Sequence, residues 1–254
     1  MKIVNTNGIV IKSIKYSEQD KIITVLTRDL GRITVMAKGA LRSKGNIGIV
    51  TRFLSCSSFC LFKGRNMFVL KDAEFITTYP NIELDIEKLT YCSHFADMMM
   101  DIVQEGQSFP EAIDHFLYAI IHMNSANPNQ YETIRLFFEL RSVFIMGYTP
   151  RLDQCILCDK EINEEAYFSI SNDGMYCCEH KPSGVKVEIH KQGIEALRYI
   201  ARTSAKNLYR MQISPETIKS LEALSKLYVE SKLEKKYTKM DMILSLRPKK
   251  DLPH

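Results

Sequence analysis

Residues 147–180 read GYTPRLDQCILCDKEINEEAYFSISNDGMYCCEH, and this stretch contains two closely spaced pairs of metal-binding residues. Cys155 and Cys158 form a C-x-x-C pair, and Cys177 and His180 form a C-x-x-H pair. A gap of two residues lets both side chains of a pair point at one ion, and two such pairs joined by a short segment are typical of zinc sites. We therefore predict a structural Zn²⁺ bound by Cys155, Cys158, Cys177 and His180.

The segment between the two pairs predicts a hairpin. Residues 166–170 are strand-like and residues 171–174 have the composition of a turn, so the chain can return and bring the second pair beside the first. Four sulfur and nitrogen ligands complete a tetrahedral zinc site and leave no position for water or substrate, which indicates a structural metal. Cys178 could replace Cys177 or His180 as a ligand, although only Cys177 with His180 keeps the usual two-residue gap.

Sequence features around these ligands resemble those of a known family. They are Gly147-Tyr148, Pro150, Leu152, the C-x-x-C pair, Phe168-Ser169, Gly174 and the second metal-binding pair. In this order they are similar to the zinc-bearing subset of the bacterial RecO family of DNA repair proteins. Four amino-terminal runs are similar to the opening domain of that family, namely Gly8-Ile9-Val10, Leu26-Thr27-Arg28, Gly31-Arg32 and Ala37-Lys38-Gly39-Ala40. Two positions depart from the family pattern, because His180 stands where a fourth cysteine is commoner and Asp159 stands where glycine is common.

The resemblance implies an α+β multidomain fold. An N-terminal OB-like β-barrel that binds DNA would occupy residues 1–80, and an α-helical domain with an inserted zinc hairpin at residues 150–182 would occupy residues 81–254. It also implies a role in DNA repair, DNA recombination and the DNA damage response, through binding of single- and double-stranded DNA and annealing of complementary strands. The implied protein partners are RecR, with which the protein would help to load RecA onto coated strands, and the C-terminal tail of single-stranded DNA-binding protein.

The first 80 residues predict the barrel independently of the resemblance. Strand-like runs of apolar and β-branched residues lie at 3–16, 21–28, 32–37, 51–62 and 66–76. Asp29-Leu30-Gly31 supplies a short turn between the second run and the third. Five short strands fit a small closed barrel of the OB kind, which leaves no exposed edge, and an SH3-like barrel stays open as an alternative.

Positive charge is concentrated in the same region. Residues 1–80 contain thirteen Lys and Arg against five Asp and Glu, a net charge of +8, whereas the whole chain carries +4 and residues 81–254 therefore carry −4. A cationic barrel can bind a nucleic-acid backbone through counterion release, without reading its sequence. The predicted nucleic-acid-binding residues are Lys12, Lys15, Arg28, Arg32, Lys38, Arg42, Lys44 and Arg52. Three of them lie in the glycine-flanked segment 38–45, which is the predicted contact loop.

Five aromatic side chains of the predicted barrel have two interpretations. Each could stack on a nucleic-acid base or pack in the core, and core packing is the commoner use of an aromatic residue in a small barrel. The five residues are Tyr16, Phe53, Phe59, Phe62 and Phe68.

Beyond residue 80 the spacing of apolar residues changes to three and four, which predicts amphipathic helices. Helices are expected at 84–103, from Pro110, at 131–144, at 191–202 and after Ser214-Pro215-Glu216. The resemblance implies that the acidic tail of single-stranded DNA-binding protein docks here, in an apolar pocket with a basic rim. Candidate rim residues are Arg198, Arg202, Lys232, Lys235 and Lys236.

The sequence argues against catalysis and against a membrane location. A zinc deaminase combines H-x-E with P-C-x-x-C, but residue 154 is Gln, and none of His94, His115 and His122 has Glu two residues later. We predict that the protein is not an enzyme; the alternative function is a zinc-ribbon nucleic-acid-binding accessory protein of transcription or translation. No apolar run approaches the length of a membrane helix, and seven cysteines suit a reducing compartment, so a cytoplasmic, bacterial and nucleoid-associated location is expected.

Overall fold

The computed structural model describes residues 2–42 and 47–240. The chain divides into two compact units, Met1–Asn124 and Ser125–His254. The α+β prediction is confirmed, since an N-terminal barrel is followed by a mainly helical region that carries a small sheet. The predicted domain boundary at residue 80 coincides with the first helix after the barrel strands, Pro80–Glu83, and stays a prediction.

Five strands form the closed barrel of the first unit. They are β1 (Ile3–Lys15), β2 (Lys21–Thr27), β3 (Gly31–Ala37), β4 (Cys56–Lys63) and β5 (Phe68–Thr77). Their order around the barrel is β1-β2-β3-β5-β4, with a parallel contact between β3 and β5 and antiparallel contacts elsewhere. This closed five-stranded arrangement is OB-like, as the sequence predicts.

The interior of the barrel follows from strand alternation. Along β3 every second residue is buried, and the inward side chains join apolar residues of the other four strands. Phe59 belongs to this core, which is the commoner of the two uses considered for the barrel aromatics. The core residues are Val10, Ile23, Val25, Ile33, Val35, Ala37, Ala40, Phe59, Leu61 and Leu70.

One strand prediction needs correction at its start. Residues 51–55 are not part of β4; a single helical turn, α1 (Ile47–Val50), precedes them, and the strand begins at Cys56. The Thr51 hydroxyl donates to the carbonyl of Ile47 at 2.7 Å, and Leu54 adopts a φ of 62°. An extended strand cannot pass through a residue in the left-handed region, so pairing starts only after Leu54.

Three helices complete the first unit, namely α2 (Pro80–Glu83), α3 (Ile86–Ile102) and α4 (Pro110–Ser125). Asp85 caps α3, since its carboxylate accepts from the backbone N–H groups of Glu87 and Lys88. The loop after α3 contacts the start of β3: Arg32 Nε donates to the carbonyl of Val103 at 3.1 Å. Gly31 lies so close to this loop that an added Cβ would be 1.9 Å from the carbonyl oxygen of Gln107.

The second unit combines helices with a three-stranded sheet. Its helices are α5 (Tyr131–Ile145), α6 (Lys191–Arg202), α7 (Ala205–Leu208) and α8 (Pro215–Leu233), and a short 3-10 turn at Pro128–Gln130 precedes α5. The strands β6 (Glu165–Ser169), β7 (Gly174–Cys177) and β8 (Lys186–His190) pair in the order β7-β6-β8. The predicted strand and turn between the two metal-binding pairs are therefore confirmed as β6 and its connection to β7.

A buried ion cluster joins α5 to α8. Arg135 is only 4% exposed, and its guanidinium contacts Glu132 at 2.7 Å, Glu139 at 3.2 Å and Glu222 at 3.3 Å. The hydroxyl of Ser225 donates to Glu139 at 2.6 Å. Removing a buried cation from such a cluster leaves carboxylates without its compensating charge, which commonly costs about 3–5 kcal/mol. The cluster therefore depends on Arg135.

Within the two described ranges, none of the helices combines the length and the apolar character needed to cross a bilayer.

Candidate metal centre and nucleic-acid interface

The four predicted metal ligands meet at one point in the second unit. The Sγ atoms of Cys155, Cys158 and Cys177 and a ring nitrogen of His180 all lie within 4.8 Å of one another. Cys155 and Cys177 are buried, whereas Cys158 is exposed. Cys178, the alternative ligand, is exposed and is not one of the four residues that form this group.

Backbone turns orient each ligand pair. In the first pair the N–H of Asp159 donates to the carbonyl of Cys155 at 3.1 Å, and in the second the N–H of His180 donates to the carbonyl of Cys177 at 3.0 Å. Asp159 adopts a φ of 59°, the left-handed conformation that glycine favours and that aspartate tolerates better than most residues. Its carboxylate contacts Arg151 Nη2 at 2.6 Å. The departure from glycine at this position therefore leaves the turn geometry intact.

The distances between ligand atoms fit a zinc ion. Tetrahedral zinc with Zn–S bonds of about 2.3 Å and Zn–N bonds of about 2.1 Å places sulfur atoms about 3.8 Å apart and sulfur and nitrogen about 3.6 Å apart. The Sγ atoms of Cys158 and Cys177 are 3.8 Å apart. His180 Nδ1 lies 3.2 Å from Cys177 Sγ and 4.0 Å from Cys155 Sγ. Donor type and spacing both suit Zn²⁺.

The surrounding backbone favours the form of cysteine that binds metal. Burial alone raises the pKa of the Cys155 thiol, but N–H groups of Cys177, Cys158 and Leu157 donate to its sulfur and lower the pKa below that of a free thiol. Burial raises the pKa of the Cys177 thiol. Since the thiolate is the metal ligand, the N–H groups around Cys155 prepare that position for a cation.

Helix α8 contacts the hairpin that carries the four candidate metal ligands. The ring of Tyr228 packs edge-on against Phe168 of β6, with centroids 5.2 Å apart. Lys232 Nζ lies 2.5 Å from the carboxylate of Asp173 in the β6–β7 turn and 5.4 Å from the ring of Tyr148. The Tyr228 hydroxyl donates to the Tyr148 carbonyl at 2.8 Å. A change in the hairpin is thus transmitted directly to α8.

Two loops of the barrel, residues 16–20 and 38–42, are bonded to each other. The N–H of Gly39 donates to Asp20 Oδ1 at 2.8 Å, and Arg42 Nε donates to Gln19 Oε1 at 2.9 Å. The bond from Gly39 lowers the pKa of the Asp20 carboxyl, so this anchor remains ionised near neutral pH. The loops enclose an open depression of about 530 Å³. Lys38 and Arg42 are exposed at its border.

The eight predicted nucleic-acid-binding residues fall into different settings. Five are exposed in the barrel, namely Lys12, Lys15, Lys38, Arg42 and Arg52. Arg28 is exposed but forms an ion pair with Asp114 at 2.9 Å, and Arg32 is half-buried with its guanidinium on the Val103 carbonyl. Lys44 lies outside the described residues. The structure brings Lys38 and Arg42 together and directs Arg28 and Arg32 toward the helices of the same unit.

Sequence analysis missed the residues that hold the two loops together. Gln19 and Asp20 were not candidates, because only cationic side chains were considered as phosphate ligands. Their partners lie 19 or more residues away in sequence. Residue spacing carries no signal for a contact of this kind, so only the folded barrel reveals it.

Comparisons with known proteins agree with this architecture. Residues 1–79 match the family model described as Recombination protein O N terminal, and residues 83–241 match Recombination protein O C terminal. A protein of Acetivibrio thermocellus named DNA repair protein RecO is 33% identical over 248 residues, which cover 97% of this chain and 98% of that protein. Proteins of the same name from Clostridium perfringens and Caldicellulosiruptor saccharolyticus are each 27% identical, over 96% and 92% of this chain and 98% and 95% of their own lengths. Since both matches lie in order and together span most of the sequence, the chain belongs to the RecO family.

Proposed function

We propose that this protein is a DNA repair and recombination mediator that binds single- and double-stranded DNA through its barrel and anneals complementary strands. With RecR it would help to load RecA onto strands coated with single-stranded DNA-binding protein, in the cytoplasm and in association with the nucleoid. The observation that carries the proposal is the cationic edge of the barrel at Lys38 and Arg42, in a chain that belongs to the RecO family. The proposed activity requires no bond in DNA to be broken. The zinc-ribbon accessory protein is not favoured, because both family matches describe recombination proteins.

Zinc has a structural part in this proposal. Cys155, Cys158, Cys177 and His180 would hold Zn²⁺, and the ion would supply a cross-link between the two turns of the hairpin. Four protein ligands fill a tetrahedral site, which leaves the metal without an open position for substrate. The hairpin then supports α8, whose residues Tyr228 and Lys232 pack on it.

The DNA proposal predicts a specific change in salt dependence. Replacing Lys38, Arg42 and Lys44 with alanine is expected to lower the slope of log affinity against log salt by about 2, since each lost phosphate contact on single strands contributes about 0.7. The measurement is fluorescence anisotropy of a labelled oligonucleotide at several salt concentrations.

A control for that experiment removes the same charge elsewhere. Lys206, Arg210 and Lys219 are exposed in the second unit, and their triple alanine variant should keep the wild-type slope. An unchanged slope for the barrel variant, with normal circular dichroism, excludes this loop from the DNA site. If the wild-type protein binds no DNA at low salt, the proposed function itself is wrong.

The acidic tail of single-stranded DNA-binding protein is proposed to bind the second unit. An open groove of about 440 Å³ in the second unit has Ile170, Val185 and Leu227 as apolar lining. Lys235 and Lys236 also line it, together with Glu230 and Glu234, so its border carries both charges. The other suggested rim cations do not line this groove. Arg198 and Arg202 contact Asp153, and Lys232 contacts Asp173. We therefore place the proposed tail site at this groove.

Substitution of Leu227 tests the tail site. Leu227→Glu places a charge in the apolar part of the groove, and we expect it to weaken binding of the tail peptide to the full chain more than about tenfold in calorimetry. The matched control is Leu84→Glu, which changes a leucine that is 86% exposed in the first unit. Equal affinities for both variants would remove the tail from this groove.

A further inference from the structure

The outer face of the barrel carries an uncovered apolar stripe near one end. Strand register places Ile14 of β1 directly opposite Ile22 of β2, and Ile22 directly opposite Met36 of β3. Their neighbours Ser13, Ile23 and Val35 face the other way, and Ile23 and Val35 belong to the core. Ile14 is 45% exposed, and Ile22 and Met36 are half-buried. We call Ile14, Ile22 and Met36 the outer stripe.

The same outer face of β1 and β2 is covered farther from the outer stripe. Farther along the same strands, Ile9 and Leu26 are opposite each other, and both are buried although neither belongs to the barrel core. Helix α3 packs beside β1 in this unit. The outer stripe stays exposed beside the covered pair Ile9 and Leu26, which suggests that it binds a ligand.

An aromatic ring and cations surround the outer stripe. Tyr16 follows Ile14 by two residues, and 62% of its surface is exposed, whereas Phe59 is buried in the core and Phe62 and Phe68 are half-buried. Its backbone N–H donates to the Asp20 carbonyl at 3.0 Å, which fixes the position of the residue at the loop of Lys38 and Arg42. Lys12 is exposed two residues before Ile14 on the other side.

We propose that the outer stripe and Tyr16 receive unpaired bases of a single strand, with the Tyr16 ring stacked on one base. Unpaired bases have apolar faces and an anionic backbone, which match an apolar stripe between Lys12 on one side and Lys38 and Arg42 on the other. A duplex keeps its base faces stacked inside the helix and can use only the cations. Stacking on Tyr16 would therefore favour single strands over duplex DNA. This inference rests on the proposed DNA-binding function and names the ligand surface of that site.

The test separates base contacts from phosphate contacts. Tyr16→Ala is expected to weaken binding of the full chain to single-stranded DNA between about 5-fold and about 100-fold, the range for one base stacked on an aromatic ring. The salt slope should stay at the wild-type value, because the ring contacts no phosphate. Binding to duplex DNA should change less than about twofold, and binding to an oligonucleotide of abasic sites should be equal for wild type and variant.

Two further variants make the result specific. Tyr16→Phe keeps the ring and should retain most of the affinity. Phe75→Ala removes another exposed aromatic of the barrel, whose cross-strand neighbour is Ser57 of β4, and should bind as the wild type does. The proposal is overturned if Tyr16→Ala matches Phe75→Ala, or if Tyr16→Phe is as weak as Tyr16→Ala. With either of these results, a wild-type protein that binds DNA would keep the proposed DNA-binding function and lose only the stacking role of Tyr16. A wild-type protein that binds no DNA would refute both the DNA-binding function and the stacking role.

Discussion

Replacing Cys158 with serine is expected to remove zinc from the protein and to lower the free energy of unfolding of the unit Ser125–His254 by more than about 4 kcal/mol. At a structural zinc site the binding energy is also folding energy, because the unfolded chain does not hold the ligands together. The loss should reach α8, since Tyr228 and Lys232 pack on the hairpin. Zinc content by mass spectrometry and urea unfolding measure the two effects.

The neighbouring thiol gives a matched control. Cys178 is exposed and stands outside the ligand group, so Cys178→Ser should keep one equivalent of zinc and change the stability by less than about 0.5 kcal/mol. Chelation of the wild type should reproduce Cys158→Ser and leave the barrel folded, which limited proteolysis of the full chain can show. Metal-free wild-type protein, or a Cys158→Ser variant as stable as Cys178→Ser, would refute the zinc assignment.

Gly31→Ala is expected to destabilise the first unit by about 2–5 kcal/mol. Gly31 adopts a φ of 63°, which costs a residue with a Cβ about 1–2 kcal/mol. The new Cβ would also lie 1.9 Å from the backbone oxygen of Gln107, and backbone cannot move aside as a flexible side chain can. Denaturant unfolding of the full chain measures the loss.

Gly106 separates the two causes. It has a φ of 72°, but an added Cβ meets no atom within 4 Å. Gly106→Ala therefore carries only the conformational cost, and its destabilisation should be about 1–2 kcal/mol. If Gly31→Ala and Gly106→Ala lose the same free energy of unfolding, the close contact between the start of β3 and the loop after α3 does not contribute to the cost of Gly31→Ala.

Local spacing was enough to predict that Cys155, Cys158, Cys177 and His180 lie together, and to predict the barrel strands apart from the start of β4. Cys155 and Cys158 are only three positions apart, so their pairing is visible in a short stretch of sequence. The alternation of buried residues along β3 is likewise visible in seven consecutive residues. The late start of β4 could not be foreseen, because it depends on Leu54 adopting a left-handed conformation that leucine rarely takes.

Contacts between distant segments explain the rest of what sequence analysis missed. Arg32 stays a predicted DNA-binding residue, but the sequence did not show that its guanidinium donates to the Val103 carbonyl, 71 residues away. Asp20 reaches Gly39 across the barrel end, and Lys232 reaches Asp173 in the zinc hairpin. Charge and residue type are the same for a solvated cation and for one that holds two segments together, so the sequence does not distinguish them.

The cluster around Arg135 constrains how this chain can diverge. Arg135 and Glu139 are both nearly inaccessible to solvent, and the guanidinium contacts two further carboxylates. Exchange of the whole ion group for apolar residues of similar volume can be neutral, whereas exchange of Arg135 alone leaves the buried Glu139 carboxylate without its counter-ion. A series of substitutions that begins at Arg135 therefore passes through an unstable sequence. Lineages that carry the arginine are expected to keep the α5–α8 pairing even where the surrounding surface drifts freely.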